Sequence, residues 1–273
     1  MFKDMETTIA EDFVFYLRAG YPYFHIEAEE QKRCIDLLSK SAENYEAKDG
    51  NTPYKDNIIV WDIQGDQENS IPPDPEAILE MLDKAEENAV VFLKNFDWFL
   101  YDDFNKPNKQ IVTTLQNKYN LYCKKGYRKS LVIVSNISLD EGVPKVIAGD
   151  FLPLNFDLPG EVEITEVMEK IITSASKNKK FTVPDEKQKA RIVDAALGLK
   201  LSEVENAFAY CLVKRAALIP TEIDRIKARM VEKVSGVYYI EYDSTLHNLK
   251  VWKTLRSLLW VLFIIKMHMV YVL

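Results

Sequence analysis

Val90-Val91-Phe92-Leu93-Lys94-Asn95 is the stretch that decides how this chain is read. Its four leading apolar residues form the unbroken run expected of a strand buried on both faces of a parallel sheet. A phosphate-loop ATPase ends such a strand in acids, one to hold Mg²⁺ and one to polarise the attacking water. Lys94 would repel the metal, and neutral Asn95 cannot act as a base. The glycines agree with this reading. They stand at 20, 50, 65, 126, 142, 149, 160, 198 and 236, so neither G-x-x-x-x-G-K-[ST] nor G-x-G-x-x-G can be written anywhere in the chain. The chain looks like a nucleotide-hydrolase scaffold from which the chemistry is missing.

Outward from this strand, apolar runs alternate with helical patterns from residue 12 to about residue 175, as in a βαβ domain. Strands are expected at Tyr23 to Ala28, Ile58 to Trp61, Val90 to Leu93 and Leu131 to Val134. A fifth, Phe151 to Phe156, is placed at a sheet edge because Pro153 cannot donate to a ladder. Between them fall helices over Glu29 to Tyr45, from Pro72-Pro73-Asp74-Pro75 to about Ala85 with Asp74 as cap, and over Gln110 to Lys124. Beyond Glu163 every pattern is helical. Ser202-x-x-Glu205 reads as a capping box, Gly198 ends the helix before it, and Pro220-Thr221 opens the one after. Lys177 to Lys180 is the expected hinge. The fold class is α/β: a P-loop-NTPase-like parallel sheet flanked by helices, followed by a small all-α lid.

Composition narrows the functional classes. With 47% hydrophobic and 28% charged residues the chain is an ordinary globular protein, not a disordered one. A net charge of −7 argues against nucleic acid as the main partner. Cys34, Cys123 and Cys211 lie far apart among apolar or aromatic neighbours, as reduced cytosolic thiols do. His25, His247 and His268 have no Cys or His at metal-ligand spacing. The acidic residues within Met1 to Ala10 do not make a signal peptide. Leu258 to Leu273 is apolar but interrupted by Lys266 and His268, and is shorter than the roughly 20 residues a spanning helix needs. It is expected to be a terminal helix or frayed end, with a tail anchor as the alternative.

Four groups of residues stand out as candidate sites. Asn136 follows a buried strand at the carboxyl edge of the sheet, where open α/β folds bind ligands and where a polar residue can sense a γ-phosphate. A plain turn residue is the competing reading. Glu27, Glu29 and Glu30 sit where the first strand hands over to its helix. Acid–base work or a hard cation would suit them, but acids at a helix start are also simply stabilising. They would oppose a phosphate at that helix end. Tyr119, Tyr122 and Tyr127 interleave with Lys124, Lys125, Arg128 and Lys129, the mixture that a single-stranded nucleic-acid surface uses and that an ordinary helix end also shows. Phe92, Phe96, Trp98, Phe99 and Tyr101 form an aromatic group read as core packing or a contact surface.

The order of several phrases resembles a known family. Leu17-Arg18-Ala19 with Tyr21-Pro22, Ile26-Glu27 with Glu29-Glu30, the strand closing on Lys94, and Leu154 to Pro159 come first. Ala195-Ala196-Leu197-Gly198-Leu199 with Glu203 and Glu205-Asn206 follows, then Ser235-Gly236 and Leu249-Lys250-x-Trp252 with Arg256. In this order they resemble the amino-terminal half of a tandem AAA+ ATPase family known as a hypothetical open reading frame of chloroplast genomes and bacteria. The resemblance covers about residues 12 to 256. It implies a degenerate AAA-like core over 12–160, a helical lid over 161–235, a linker over 236–256 toward a second module, and an apolar tail over 257–273. In that family ATP and Mg²⁺ belong to the second module, so no cofactor is expected for this chain and no catalytic residue or metal ligand is assigned.

The resemblance implies an assembly or regulatory module with AAA+ modules in cis or in trans as partners and homo-oligomerisation open; the cysteines suit the cytoplasm, and the glycine spacing with Lys94-Asn95 leads to the expectation that the chain is inactive alone. A single-stranded nucleic-acid adaptor and a tail-anchored interaction protein, held to the membrane through Leu258 to Leu273, are the alternatives.

Overall fold

The computed structural model describes residues 5–47, 50–65, 71–85, 87–124, 129–177 and 181–231. The expected linker and tail lie outside these, as do residues 178–180 of the expected hinge. The elements in chain order are α1 (Met5–Ala19), β1 (Tyr23–Ala28), α2 (Gln31–Glu43), β2 (Ile58–Trp61), α3 (Pro75–Lys84), β3 (Val90–Lys94), a 3₁₀ turn (Phe96–Phe99), α4 (Lys109–Tyr122) and β4 (Ser130–Ser135). After these come α5 (Leu139–Gly142), α6 (Lys145–Ala148), β5 (Leu152–Phe156), α7 (Glu161–Ala175), α8 (Glu186–Ala196), α9 (Leu201–Arg215) and α10 (Pro220–Val231).

Five strands form one sheet in the order β2-β3-β4-β1-β5, and every pairing is parallel. β3, β4 and β1 fill the middle, and β3 and β4 accordingly read as apolar runs without alternation. Val90 to Leu93 and all of β4 are buried. β5 lies at the edge, as Pro153 demands, with Pro153 itself exposed. At that position only β1 has to be paired, and the missing N–H costs no ladder bond on the open side.

The two faces of the sheet carry separate cores. On one, Tyr23, Val91, Leu93, Leu131 and Ile133 pack with α3, α4 and the 3₁₀ turn. On the other, Phe24, Ile26, Val90, Phe92, Val132 and Val134 pack with α1 and α2. This splits the aromatic group expected after β3. Phe92 points to the α1 side, while Phe96, Phe99 and Tyr101 belong to the α4 side and Trp98 is exposed. Within β3 the period-2 alternation sets Phe92 on the face opposite Val91 and Leu93, and the 3₁₀ turn carries Phe96 and Phe99 to the other side. Helix α1 was not expected, although Ala10, Phe13 and Leu17 have helical spacing and all three are buried.

Helix ends follow from local chemistry in most places. Asp74 accepts from the amides of Glu76 and Ala77, with Pro75 at the first position of α3. The expected capping box at Ser202 and Glu205 is absent. Instead α9 starts at Leu201, and the Glu203 carboxylate accepts from the Lys200 amide at 2.9 Å. A reciprocal box does exist at the start of α8, where Asp185 and Gln188 exchange side-chain-to-backbone bonds of 2.7 and 3.0 Å. Among the described residues, those after Glu161 are helices and connections, tied by one isolated parallel bridge from Thr182 to Ala217. Residues 1–224 form one compact unit; of the second, 225–273, the end of α10 is described.

Candidate functional site

In open α/β sheets ligands bind beyond the carboxyl ends of the strands, at the point where strand order reverses. Here that point lies around β1, with β4 on one side and β5 on the other. The register places Glu27 beside Ser135 and Asn155, and Lys94 beside Val134. The line of residues leaving this edge is thus Glu29-Glu30 after β1, Asn95 after β3, Asn136 after β4 and Asp157 after β5.

The connection from β1 to α2 is only Glu29-Glu30. A phosphate-cradling loop needs several residues whose amides curl around the anion before the helix begins. Two carboxylates take its place, and both are used by the protein itself. Glu30 is the N-cap of α2 but makes no side-chain cap to it. Its Oε1 accepts instead from the Leu201 amide, the first of α9, at 2.7 Å. Its Oε2 lies 3.0 Å from Arg33 Nε. Arg33 also binds Glu163 of α7 at 2.7 Å through Nη1, donates to the Asp157 carbonyl oxygen, and stacks 4.4 Å over the Phe156 ring. Lys200 reaches back to Glu29 at 2.9 Å.

The consequence is electrostatic as well as steric. α9 presents the positive end of its dipole to the sheet edge, and Glu30 supplies the anion that this end favours. Arg33 is partnered by two carboxylates, a carbonyl and a ring. Arg33 and Glu30 side chains are each only 11% exposed, so their charges are worth more than those of a surface pair. Glu29 and Lys200 are the more open pair, at 58% and 39%.

At the end of β3, Asn95 adopts a left-handed conformation with φ +53° and donates its amide to the Val134 carbonyl at 2.9 Å. Its side-chain oxygen accepts from Gln31 of α2. Asn136 lies in a bend after β4 and is exposed. A nucleotide with Mg²⁺ would need anion donors and a carboxylate metal ligand here; the donor set is carboxylates where the phosphates would lie, with Lys94 where the metal-holding acid would be. These residues do not fit that group. Among the described residues no cluster of His, Cys, Asp and Glu is arranged to hold a metal.

Sequence reasoning singled out Glu29 and Glu30 but not Arg33, Lys200 and Glu163, which complete their pairing. Only the presence of charges at the start of α2 and α9 could have hinted at it, since the partners lie up to 171 residues apart. The aromatic and basic segment is dispersed by the structure. Tyr122 is 2% exposed and donates to Asp83; Lys129 is 7% exposed and donates to the carbonyls of Leu82 and Asp83 at 3.0 and 2.8 Å. Tyr119 is half-buried against Tyr23, with ring centroids 5.4 Å apart. Lys125, Tyr127 and Arg128 lie outside the described residues. The cysteines are free thiols, Cys34 and Cys211 buried and Cys123 exposed; burial pushes the Cys34 thiol up to about 12.

Comparison with known proteins agrees with this scaffold. Residues 9–151 match the family model described as SpoVK-like AAA ATPase, N-terminal domain, and residues 162–232 match SpoVK-like AAA ATPase, second domain. The chain is 22% identical over 275 residues to an uncharacterized AAA domain-containing protein ycf46 of Guillardia theta, covering 93% of this chain and 49% of that protein. It is also 26% identical over 149 residues to a ribosomal RNA small subunit methyltransferase A of Campylobacter jejuni, covering 47% of this chain and 53% of that protein. The chain thus spans about half the length of the curated relatives it matches. Among solved structures, the AAA domain of FIGL-1 superposes with a TM-score of 0.54 at 11% identity, covering 93% of this chain and 86% of that one. At that identity the likeness concerns the fold alone.

Proposed function

Because the chain belongs to the SpoVK-like AAA ATPase family, we propose that it serves as a non-catalytic module of an AAA+ ATPase, assisting the assembly or regulation of a module that hydrolyses ATP. The observation that carries this reading is the Glu29-Glu30 turn. The place where an active module cradles phosphate is spanned by two carboxylates already bonded to Lys200, Leu201 and Arg33. Lys94 and Asn95 at the end of β3 support it, because Lys94 would repel Mg²⁺ and Asn95 cannot act as a base toward water. In this reading the sheet and the helices that follow it act as a core and a lid held together without nucleotide. Asn136 then serves no phosphate and is a turn residue. The partners are AAA+ modules bearing a phosphate loop, joined in cis or met in trans.

Calorimetric titration of the chain with ATP and Mg²⁺ is expected to give no micromolar binding. Native mass spectrometry with a phosphate-loop-bearing AAA+ module of the same family is expected to give a mixed complex. Micromolar ATP binding with steady phosphate release would overturn the non-catalytic part, and failure to form any mixed complex would overturn the assembly part. The nucleic-acid alternative is opposed by the burial of Tyr122 and Lys129 in the described part of that segment. Its test is salt-dependent binding to a single-stranded oligonucleotide that is lost on Lys124→Glu with Arg128→Glu.

A further inference from the structure

Beneath the carboxyl edge, on the α4 side of the sheet, two buried side chains carry polar atoms without a hydrogen-bond partner of ordinary geometry. His25 of β1 is 1% exposed and its Nε2 has no hydrogen-bond partner in the protein. Asp97 of the 3₁₀ turn is 2% exposed, and neither carboxylate oxygen has one of ordinary geometry. Leaving such groups unpaired is costly, and native proteins rarely do it. Both face the same residue of α5. A Cβ placed on Gly142 would lie 3.5 Å from His25 Nε2, 3.7 Å from Asp97 Oδ2 and 3.4 Å from Asp97 Cβ. Gly142 therefore borders the space that both polar groups share.

The geometry points to a buried water-binding site formed by His25, Asp97 and Gly142, in which one or two internal waters bridge the imidazole to the carboxyl group. The chemistry selects water. A single histidine and a single carboxylate fall short of the four ligands a structural transition metal takes. Water can donate or accept as each side chain requires, and an internal water typically makes about three hydrogen bonds to buried polar groups. Ser135 lies beside Asp97 at the end of β4; its oxygen accepts from the Ile137 amide at 3.1 Å, which leaves its proton to turn toward the Asp97 carboxylate as a further wall of the site. The bridge thus ties β1 and α5 to the turn that follows β3.

Gly142 makes the site testable by the sign of an effect. It ends a helix and has no left-handed φ. Alanine in a helix ordinarily raises stability over glycine, and the distances above are tight to ordinary contacts, not clashes. Filling the gap would nevertheless exclude water from both polar groups. Gly142→Ala in the full chain is expected to lower Tm by about 3–6 °C. In a His25→Phe, Asp97→Leu background, where no polar group needs water, the same change is expected to be neutral or stabilising. In the unsubstituted chain, water–protein cross-relaxation NMR is expected to find a long-lived water at the His25 ring protons, a measurement that does not depend on any variant folding. A higher Tm for Gly142→Ala, or no long-lived water at His25, would overturn the assignment.

Discussion

The two ends of the sheet hold their charges in opposite ways. At the amino end, the buried side chains of Lys129, Lys118 and Tyr122 gather in a knot around the end of α3, whose Asp83 carboxylate is itself half open to solvent. Lys129 closes the last carbonyls of α3, Lys118 pairs with Asp83 at 2.5 Å, and the Tyr122 hydroxyl donates to the same carboxylate at 3.0 Å. At the carboxyl end, Glu29, Glu30, Arg33, Glu163 and Lys200 form a partly exposed bridge from the sheet to the helices that follow it. The knot satisfies helix ends inside one layer of the fold. The bridge occupies the edge at which the architecture would receive a ligand. Residues of the same kinds thus close the end of a helix at one end and, in the function proposed above, take a ligand's place at the other.

If that contrast is right, the knot should be the costlier to break. Lys129→Met leaves two carbonyls of α3 without their donor, one buried and one part-buried, and is expected to destabilise by about 2–4 kcal/mol in urea unfolding. The polar pair between the two ends gives the next effect. Burial lowers the His25 pKa from 6.5 to about 4. The unfolded chain therefore takes up the proton before the folded one does. Its contribution is complete above pH 6.5 and fades as pH falls toward 4, by at most about 3 kcal/mol. Burial raises Asp97, so that group contributes in the opposite sense: its stabilisation is present below the usual carboxylate range and is lost as pH rises through its folded value. As pH falls from 6.5 to 4, the unfolding free energy of the chain should drop relative to that of His25→Leu, each measured in an Asp97→Asn background.

The bridge should yield smaller losses. Arg33→Ala removes partners from two carboxylates and a ring, an expected cost of about 1–2 kcal/mol. Lys200→Ala, at an exposed pair, should cost no more than about 0.5 kcal/mol by the same measurement. A larger loss at Lys200 than at Lys129 would invert the comparison.

Much of the scaffold was legible because buried parallel strands announce themselves as apolar runs and because Asp74, Pro75, Pro153, Gly198 and Pro220 have strong local meaning. Gly198, at φ +84°, follows the end of α8 in the conformation glycine tolerates best. The site was legible only by half. Glu29 and Glu30 are visible at the start of α2, but their partners are set by tertiary packing. The same packing explains the misplaced start of α9, whose first amide is capped by Glu30 from across the fold and not by a neighbour in sequence. Lys129 resembled a surface cation because nothing local shows that the end of α3 lies over it. The Asp185-x-x-Gln188 box, by contrast, is a local signal that pattern reading passed over.

The account rests on the carboxyl edge being closed by the protein's own groups, and the Leu201 amide reports on that directly. Its hydrogen exchange can be followed by NMR in the full chain, with and without millimolar ATP and Mg²⁺. Bonding to Glu30 predicts a protected amide whose exchange is unchanged by nucleotide and accelerated by Glu30→Ala. An amide that exchanges freely in the unsubstituted chain, or one that becomes protected only when ATP and Mg²⁺ are added, would contradict it.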